Sequence, residues 1–225
     1  MLRIPARYAG PPGSANGGIA CGLFAAGVDA PVAEVTLRQP VPLDTDLRLN
    51  DGAVYDGETL VATVTDGAVH AEPKAALTMQ QAEDAAGRYD GRNSHPFPGC
   101  FVCGIDREPP DALGLRPGPV DGAVAAVWHP LAADRFLIWA ALDCPGGWAS
   151  LQPGRPMVLG RMSLEVHRPP VVGQPHVVQG WTLRTEGRKT FSATALYDAD
   201  GEVLAVAQQT WFTVAVEQMG RAAGS

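Results

Sequence analysis

The sequence lacks any continuous apolar stretch approaching the roughly 18 to 20 residues that span a bilayer, and its first residues show no positive-then-apolar leader pattern. Cations are also in the minority, since 17 Lys and Arg stand against 24 Asp and Glu, for a formal net charge of −7. That balance argues against a general nucleic-acid or membrane-surface role, which needs a basic face. We therefore expect a cytoplasmic protein with neither nucleic acid nor membrane as a partner.

Cysteine is scarce, with 4 residues in 225. So few thiols in a chain of this size fit a reducing compartment better than a disulfide scaffold. Cys100 and Cys103 have the spacing of a zinc knuckle, and a closed structural site would need two more ligands, from His95, His129 or Cys144. A single Cys pair is weak support, because the same segment also fits a turn that enters a strand. We expect no metal and no cofactor.

What the chain does contain is an internal repeat. The pairs Gly17-Gly18 and Gly146-Gly147 are related by an offset of 129 residues, and in each copy a proline follows 22 positions after the second glycine. Before that proline, apolar residues alternate at matching positions in the two copies, since Val35 corresponds to Leu164 and Leu37 to Val166. A fixed-offset self-match indicates a duplication. We therefore predict two related halves, with the function where they meet.

Each predicted half combines one helix with a meander of strands. In the first half, a turn-rich approach leads into a helix from Ile19 to Ala26, which Ser14 or Asn16 can cap. The second half has a predicted helix from Phe136 to Leu151, broken at Pro145-Gly-Gly. The predicted strands are short runs rich in Val, Leu and Thr: Leu2 to Ile4, Val32 to Arg38, Asp46 to Leu49, Leu60 to Thr65, Ala68 to Ala71, Ala123 to Trp128, Val158 to His167, His176 to Arg184, Thr190 to Tyr197 and Val203 to Val214.

Three stretches resemble a known fold family. Asn16-Gly-Gly-Ile-Ala-Cys-Gly-Leu is similar to the His-Gly-Gly start of the hotdog helix, and Glu165-Val-His-Arg-Pro-Pro-Val-Val-Gly to its strand-to-turn element. Cys100-Phe-Val-Cys-Gly with Gly114-Leu-Arg looks like the opening of many bacterial thioesterase-like hotdogs. The chain thus resembles a tandem, or double, hotdog of the acyl-CoA thioesterase-like superfamily. This implies an α+β fold with two antiparallel sheets, each wrapping a central helix. The N-terminal hotdog would comprise residues 1–80 and the C-terminal hotdog residues 100–217, with a linker at 81–99 and a tail at 218–225.

The resemblance also implies a function. It indicates an acyl-CoA or other acyl-thioester hydrolase-like protein whose site forms where two hotdogs pair, and two such chains could form a homodimer. Hydrolytic members carry a carboxylate about two helical turns after the second glycine. Seven positions after Gly18 and Gly147 stand Ala25 and Gly154, so neither half has that carboxylate, and neither has the histidine that precedes the family's glycines.

Asp143 is the best candidate for a catalytic carboxylate. Its neighbours, in Ala-Ala-Leu-Asp-Cys-Pro-Gly-Gly-Trp, are largely apolar, and such surroundings raise the pKa of a carboxyl and let it act as a general base for water. The alternative is that it caps the turn at Gly146-Gly147. Asn16 could donate to the acyl carbonyl or position water, or only cap its helix. The amides of Gly17, Gly18, Gly146 and Gly147 are predicted to form an oxyanion hole at helix starts, unless the glycines only allow tight packing.

Substrate contacts are predicted from charge and aromatic content. Between Arg155 and Lys189 the cations exceed the acids by four, so Arg168 and Arg188 are candidates for the phosphates of coenzyme A, unless they are only solvated strand ends. All five tryptophans lie in the second half, and Trp148 is a candidate wall of an acyl pocket. The leading function is thioester hydrolysis by base-activated water. The alternatives are a non-catalytic acyl-CoA or lipid-like ligand-binding protein and a hydratase or dehydratase.

Overall fold

The structure, a computed structural model, describes residues 1–132, 134–152 and 154–215. Within these ranges the α-helices are α1 (Gly17–Ala25), α2 (Met79–Gly87) and α3 (Arg135–Trp148). The strands are β1 (Leu2–Arg3), β2 (Ala33–Leu37), β3 (Asp46–Asn50), β4 (Ala53–Asp56), β5 (Thr59–Asp66), β6 (Gly118–Val120), β7 (Ala123–Trp128), β8 (Met157–Val166), β9 (His176–Glu186), β10 (Lys189–Tyr197) and β11 (Val203–Thr213). The predicted tail, 218–225, lies outside the described residues. No described helix is long and apolar enough to cross a membrane.

The strands form one antiparallel sheet in the order β1-β3-β4-β5-β2-β8-β11-β10-β9-β7-β6. The two halves of the chain meet where β2 pairs with β8, and there Glu34 lies directly opposite Ser163, its equivalent at the predicted offset of 129. The Ser163 hydroxyl donates to Glu34 Oε2 at 3.2 Å, and Arg161 Nη1 lies 3.3 Å from Glu34 Oε1. The sequence predicts two separate sheets, whereas pairing between β2 and β8 joins them into one.

Helix α1 begins at Gly17, two residues before its predicted start, because Asn16 caps it. The Asn16 side chain accepts a hydrogen bond from the Ile19 N–H at 3.0 Å, which satisfies an amide that has no intrahelical acceptor. Ser14, the other candidate cap, instead donates to the Pro11 carbonyl at 3.2 Å. The predicted capping role of Asn16 is thus confirmed.

Helix α3 differs most from its prediction. It begins at Arg135, eleven residues before Gly146, and runs without a break through Pro145 to Trp148. Proline removes one helical hydrogen bond and crowds the carbonyl four residues back, yet the close packing of Gly146 and Gly147 on the sheet carries the helix past it. The offset of 129 therefore holds for the strands at the seam and fails for the helices.

Residues 67–78, which follow β5, pack on the outer face of the second half. The predicted strand at Ala68 to Ala71 is wrong, because this segment makes side-chain contacts with the sheet instead of pairing as a strand. The His70 N–H donates to Gln208 Oε1 at 3.3 Å, and the Tyr197 hydroxyl donates to the Lys74 carbonyl at 2.8 Å. Helix α2 follows and packs on β6, β7 and β9. The domain boundaries at residues 80 and 99 stay a prediction.

Candidate functional site

The central helices α1 and α3 cross in direct contact on the inner face of the sheet. A methyl group on Gly18 would lie 2.6 Å from Asp143 Cβ and 2.7 Å from the Trp139 carbonyl oxygen, and one on Gly22 would lie 2.7 Å from Phe136 Cα. Only glycine permits so close an approach at these two positions, which lie four residues apart on one face of α1. The first turn of α1 therefore meets Asp143 in the third turn of α3.

Asp143 joins the two helices through one carboxylate oxygen. Its Oδ2 accepts hydrogen bonds from Asn16 Nδ2 and from the Gly18 N–H, each at 2.9 Å. Its Oδ1 is buried and has no hydrogen-bond partner among the described residues. Burial raises the pKa of Asp143 to about 7, against the opposing effect of the Gly18 N–H and the Asn16 amide. A carboxyl group with that pKa can take up and return a proton near neutral pH.

The first amides of α1 are not equally available to a ligand. The Gly18 N–H is engaged by Asp143 and the Ile19 N–H by Asn16. The Gly17 N–H, the first of the helix, has no intrahelical acceptor and no other acceptor in the described part of the chain, and Gly17 lines the cavity described below. Of the glycine pair predicted as an oxyanion hole, one amide remains for a bound carbonyl.

The second glycine pair has a different role from the one predicted. Gly146 and Gly147 lie in the last turn of α3, where backbone amides donate to carbonyls one turn earlier, so the prediction of helix-start amides there is wrong. A methyl group on Gly146 would lie 2.7 Å from Gln209 Oε1, and one on Gly147 would lie 3.0 Å from the Trp211 ring. These glycines let the end of α3 pack closely on the sheet. Asp143 therefore does not cap a turn at this pair.

Three buried polar side chains of the sheet support α3. Thr194 Oγ1 and Gln209 Nε2 both donate to the Leu142 carbonyl, at 2.7 and 2.8 Å, and Ser192 Oγ donates to Gln209 Oε1 at 3.1 Å. Because Leu142 precedes Asp143, these bonds fix the turn that carries the carboxylate. Sequence reasoning missed all three side chains because they stand in apolar strands. The available signal was the spacing of two between Ser192 and Thr194, which puts them on one face of β10.

A cavity of about 630 Å³ lies beside the helix crossing. Asn16, Gly17 and Asp143 line it, together with a largely apolar wall that includes Phe97, Leu151, Met157, Leu159, Trp211 and Phe212. Trp148 lies on the same wall, with its ring edge-on to Tyr89 and His95 at centroid distances of 4.7 and 5.2 Å. The volume is in the usual range for small-molecule sites, which are mostly apolar with a few polar groups.

The two predicted phosphate-binding arginines lie far apart. Arg168 Nη2 lies 3.4 Å from Asp198 Oδ2, and the Arg168 N–H donates to the Leu204 carbonyl near the start of β11. Leu204 is roughly 26 Å along the strand from Phe212, and Arg168 does not line the cavity. Arg188 lines a shallow groove whose wall is Phe212, and Phe212 also lines the main cavity. Arg38, which sequence reasoning missed, is the cation on the cavity wall itself within the described residues.

Three thiols share one part of the cavity wall. The sulfur atoms of Cys100, Cys103 and Cys144 all lie within 4.8 Å of one another, and Cys100 Sγ is 3.8 Å from Cys144 Sγ. Hydrogen bonds from the other two thiols lower the pKa of Cys100. Burial raises the pKa of Cys103, and the hydrogen bond to Cys100 raises the pKa of Cys144. The fourth cysteine, Cys21, is buried in α1 outside this cluster.

Solved structures show which fold this is. A tesB protein from Mycobacterium avium subspecies paratuberculosis matches with a TM-score of 0.58 at 10% identity, over 95% of this chain and 91% of that one. A candidate thioesterase from Novosphingobium aromaticivorans gives 0.63 at 14% identity, over 95% and 94%. A protein of unknown function with a hot dog fold from Alicyclobacillus acidocaldarius gives 0.60 at 12% identity, over 95% and 92%. No family model and no curated protein matches the sequence.

The chain therefore has the hotdog fold in its double form, as the resemblance of its sequence predicts. Because this fold carries many activities, the function has to be argued from the site. The candidate site is the cavity at the α1 and α3 crossing, which is lined by Asn16 and Gly17 of the first half and by Asp143 of the second.

Proposed function

We propose that this chain hydrolyses an acyl thioester, with Asp143 as general base and the Gly17 N–H as the oxyanion donor. The observation that carries the proposal is Asp143 Oδ1, a buried oxygen without a partner among the described residues, on a side chain that lines the same cavity as Gly17. The names of two structural neighbours, a tesB protein and a candidate thioesterase, support the same class of reaction.

Asp143 also occupies the level of the helix at which the hotdog resemblance places a carboxylate. Helix α3 begins at Arg135, and Asp143 follows eight residues later, a little over two turns at about 3.6 residues per turn. Counting from Gly147 missed it, because that count took the glycine pair for the start of the helix. The count from the start of α3 thus places a carboxylate at about the family's level, although no His-Gly-Gly precedes this helix.

In the proposed reaction, Asp143 Oδ1 takes a proton from a water molecule while the water oxygen bonds to the thioester carbonyl carbon. Negative charge develops on the carbonyl oxygen, where the Gly17 N–H and the positive end of α1 stabilise it. The carbon–sulfur bond then breaks, and the proton on Asp143 passes to the departing thiolate. Asn16 holds the carboxylate in place through Oδ2 and leaves Oδ1 for the water.

Acyl-CoA is the substrate that the surroundings of the site favour. The apolar cavity suits an acyl group, and the groove of Arg188 continues from it across Phe212. Arg188 and Lys189 outnumber Glu186 on that groove and leave positive charge for phosphates there, and Arg38 offers it on the cavity wall. Of the two arginines predicted from the sequence, we retain Arg188 for this role.

Turnover of a panel of acyl-CoA thioesters, followed with a thiol-reactive dye, tests the proposal. Asp143→Asn keeps the size of the side chain and an acceptor oxygen but cannot take a proton, so we expect kcat to fall by about 10² to 10⁴, the usual contribution of a general base. Asp134→Asn, at the exposed N-cap of the same helix, is the matched control and should leave kcat unchanged. Hydrolysis that survives Asp143→Asn would contradict the assignment of the base.

A non-catalytic acyl-CoA-binding protein is the second candidate. It is favoured by the two hydrogen bonds to Asp143 Oδ2, since a buried carboxylate that joins two helices can be a purely structural link. In that case the wild-type protein binds acyl-CoA in a calorimeter and hydrolyses none of the panel. Asp143→Asn is then expected to lower the free energy of unfolding, and neither the variant nor the wild type hydrolyses the substrates.

A further inference from the structure

The three thiols on the cavity wall come from two separate parts of the fold. Cys100 and Cys103 stand at the two ends of a tight turn, and Cys144 lies on α3 next to Asp143. The turn is closed by a hydrogen bond from the Gly104 N–H to the Cys100 carbonyl at 2.9 Å. A methyl group on Gly104 would lie 2.3 to 2.6 Å from backbone atoms, so this Cys-x-x-Cys-Gly turn requires glycine at its end.

The spacing of the sulfur atoms is that of ligands on one metal ion. In a tetrahedral zinc site with Zn–S bonds of about 2.3 Å, two thiolates stand about 3.8 Å apart. Cys100 Sγ and Cys144 Sγ are 3.8 Å apart, and all three sulfurs fall within 4.8 Å of one another. We infer that Cys100, Cys103 and Cys144 bind a thiophilic divalent cation, Zn²⁺, with a fourth coordination position open to the cavity.

A polar group beside the thiols suits the negative charge of bound thiolates. Asn16 Nδ2 lies 3.8 Å from both Cys100 Sγ and Cys144 Sγ, so one amide faces two ligands. Such outer partners orient metal ligands and stabilise their charge. Three ordinary buried thiols, acting only as small apolar groups, would not need this donor.

The fourth position is not taken by a neighbouring histidine. His95 is the nearest candidate from the sequence, but its Nδ1 accepts from the Phe97 N–H at 2.9 Å, so its Nε2 donates to the Cys103 carbonyl at 3.0 Å. His129 is exposed and follows β7, away from the cavity. All three cysteines line the cavity, so a fourth ligand would be water or a group of the bound molecule.

Zinc binding would release protons from the three thiols to solvent. Three thiols give up three protons as three Zn–S bonds form, and the three thiolates and the divalent ion together carry a charge of −1. No oxidation or reduction is involved. This inference does not rest on the proposed hydrolysis, because metal content and spectra are read without any substrate.

Elemental analysis of the full chain, purified without a metal-affinity step, is the first test. We expect about one zinc ion per chain, released when a mercurial reagent titrates the thiols. In Cys100→Ala, Cys103→Ala and Cys144→Ala the affinity for Zn²⁺, measured against a competing chelator, should fall at least about tenfold, since loss of even an outer partner costs that much affinity. Cys21→Ala is the matched control, because Cys21 is equally buried but lies outside the cluster, and it should keep its zinc.

Cobalt substitution needs no variant and so remains decisive if an alanine variant fails to fold. Wild-type protein stripped with a chelator and loaded with Co²⁺ should show sulfur-to-cobalt charge-transfer absorption and the strong d–d bands of a tetrahedral site. Addition of a small thiol should shift those bands if the fourth position is open. A spectrum that does not shift overturns the open position.

Two other results overturn the site altogether. The first is wild-type protein that binds neither Zn²⁺ nor Co²⁺, with all four thiols free to react after unfolding. The second is protein in which two of the three cysteines resist alkylation until a reductant is added, because the pair is then a disulfide and not a ligand set.

Discussion

The two halves of this molecule share one fold but contribute opposite chemistry to the site. The first half offers donors: the Asn16 amide and the N–H groups at the start of α1, a helix of 9 residues. The second half offers an acceptor, Asp143, in the third turn of α3, a helix of 14 residues. A carboxylate is stabilised at the positive end of a helix. The duplication therefore places the start of one helix against the acid of the other.

The halves also differ in how firmly each holds the groups that it contributes to the site. The donors of α1 sit on a turn that glycine brings close to α3, and among the described residues the side chains that hydrogen-bond to the amides of this helix are Asn16 and Asp143. Asp143 is held by a hydrogen bond from Asn16 to its carboxylate. It is also held through the preceding residue, because two side chains donate to the Leu142 carbonyl. The acceptor half is the better supported of the two. This difference sets the order of the effects that we expect from substitution.

Gly18→Ala should have the largest effect on stability. Its new methyl group would meet the backbone of α3 at 2.7 Å, which cannot move without shifting the whole helix, so we expect a loss of more than about 3 kcal/mol in the free energy of unfolding. At Gly147, which matches Gly18 in the sequence repeat but lies in the last turn of α3, the methyl group of Gly147→Ala meets only the Trp211 ring, at 3.0 Å. There the gain in helix propensity offsets much of the cost, and the net loss should stay below about 1 kcal/mol.

Urea denaturation of both variants measures this contrast. Gly87→Ala in α2 serves as the control, because nothing lies within 4 Å of its added methyl group. It should be neutral or slightly stabilising, by up to about 1 kcal/mol. Equal losses in Gly18→Ala and Gly147→Ala would show that the two helices pack alike and that the contrast between the halves is wrong.

Asn16→Ala should have the next largest effect. It removes the cap of α1, worth about 0.5 to 2 kcal/mol, and leaves a buried carboxylate short of one donor, at about 1 to 3 kcal/mol. Asn16→Ser can still cap the helix but is too short to reach Asp143. It should therefore lose only the second contribution in urea denaturation. If the alanine and serine variants unfold at the same denaturant concentration, the cap contributes nothing.

Thr194→Val should have the smallest effect of the three. It removes one donor to the Leu142 carbonyl, while Gln209 keeps the other, so we expect a loss of about 1 to 2 kcal/mol in unfolding. Because the turn that carries Asp143 is then less constrained, kcat should fall while KM stays unchanged. Thr210→Val on the neighbouring strand, where the side chain is only partly buried, is the control. A change in KM alone would argue against a role of the Leu142 carbonyl in positioning Asp143.

Much of the fold follows from local patterns in the sequence. The apolar alternation of β2 and β8 predicts two related strands, and the structure pairs them through Glu34 and Ser163. The strand from Ala123 to Trp128 is found with its predicted bounds. Asn16 and Asp143, chosen separately as site residues, are hydrogen-bonded to each other across 127 positions of sequence.

The remaining features depend on contacts that no local pattern reveals. Pro145-Gly-Gly indicates a helix break, yet packing of Gly146 on Gln209 and of Gly147 on Trp211 carries α3 through it, so tertiary contacts override propensity. The sequence offers Cys144 only as one of three possible neighbours of the Cys100 turn, and it is the packing of α3 against that turn that brings the three sulfurs within 4.8 Å of one another.

The pairing of β2 with β8 has a consequence for any attempt to take the molecule apart. Each half alone would expose a strand edge whose backbone groups lose their partners, and open edges of this kind recruit other strands. A fragment of either half should then pair with a copy of itself or with the other fragment instead of remaining a stable monomer. We therefore expect the two repeats to fold and unfold as one cooperative unit.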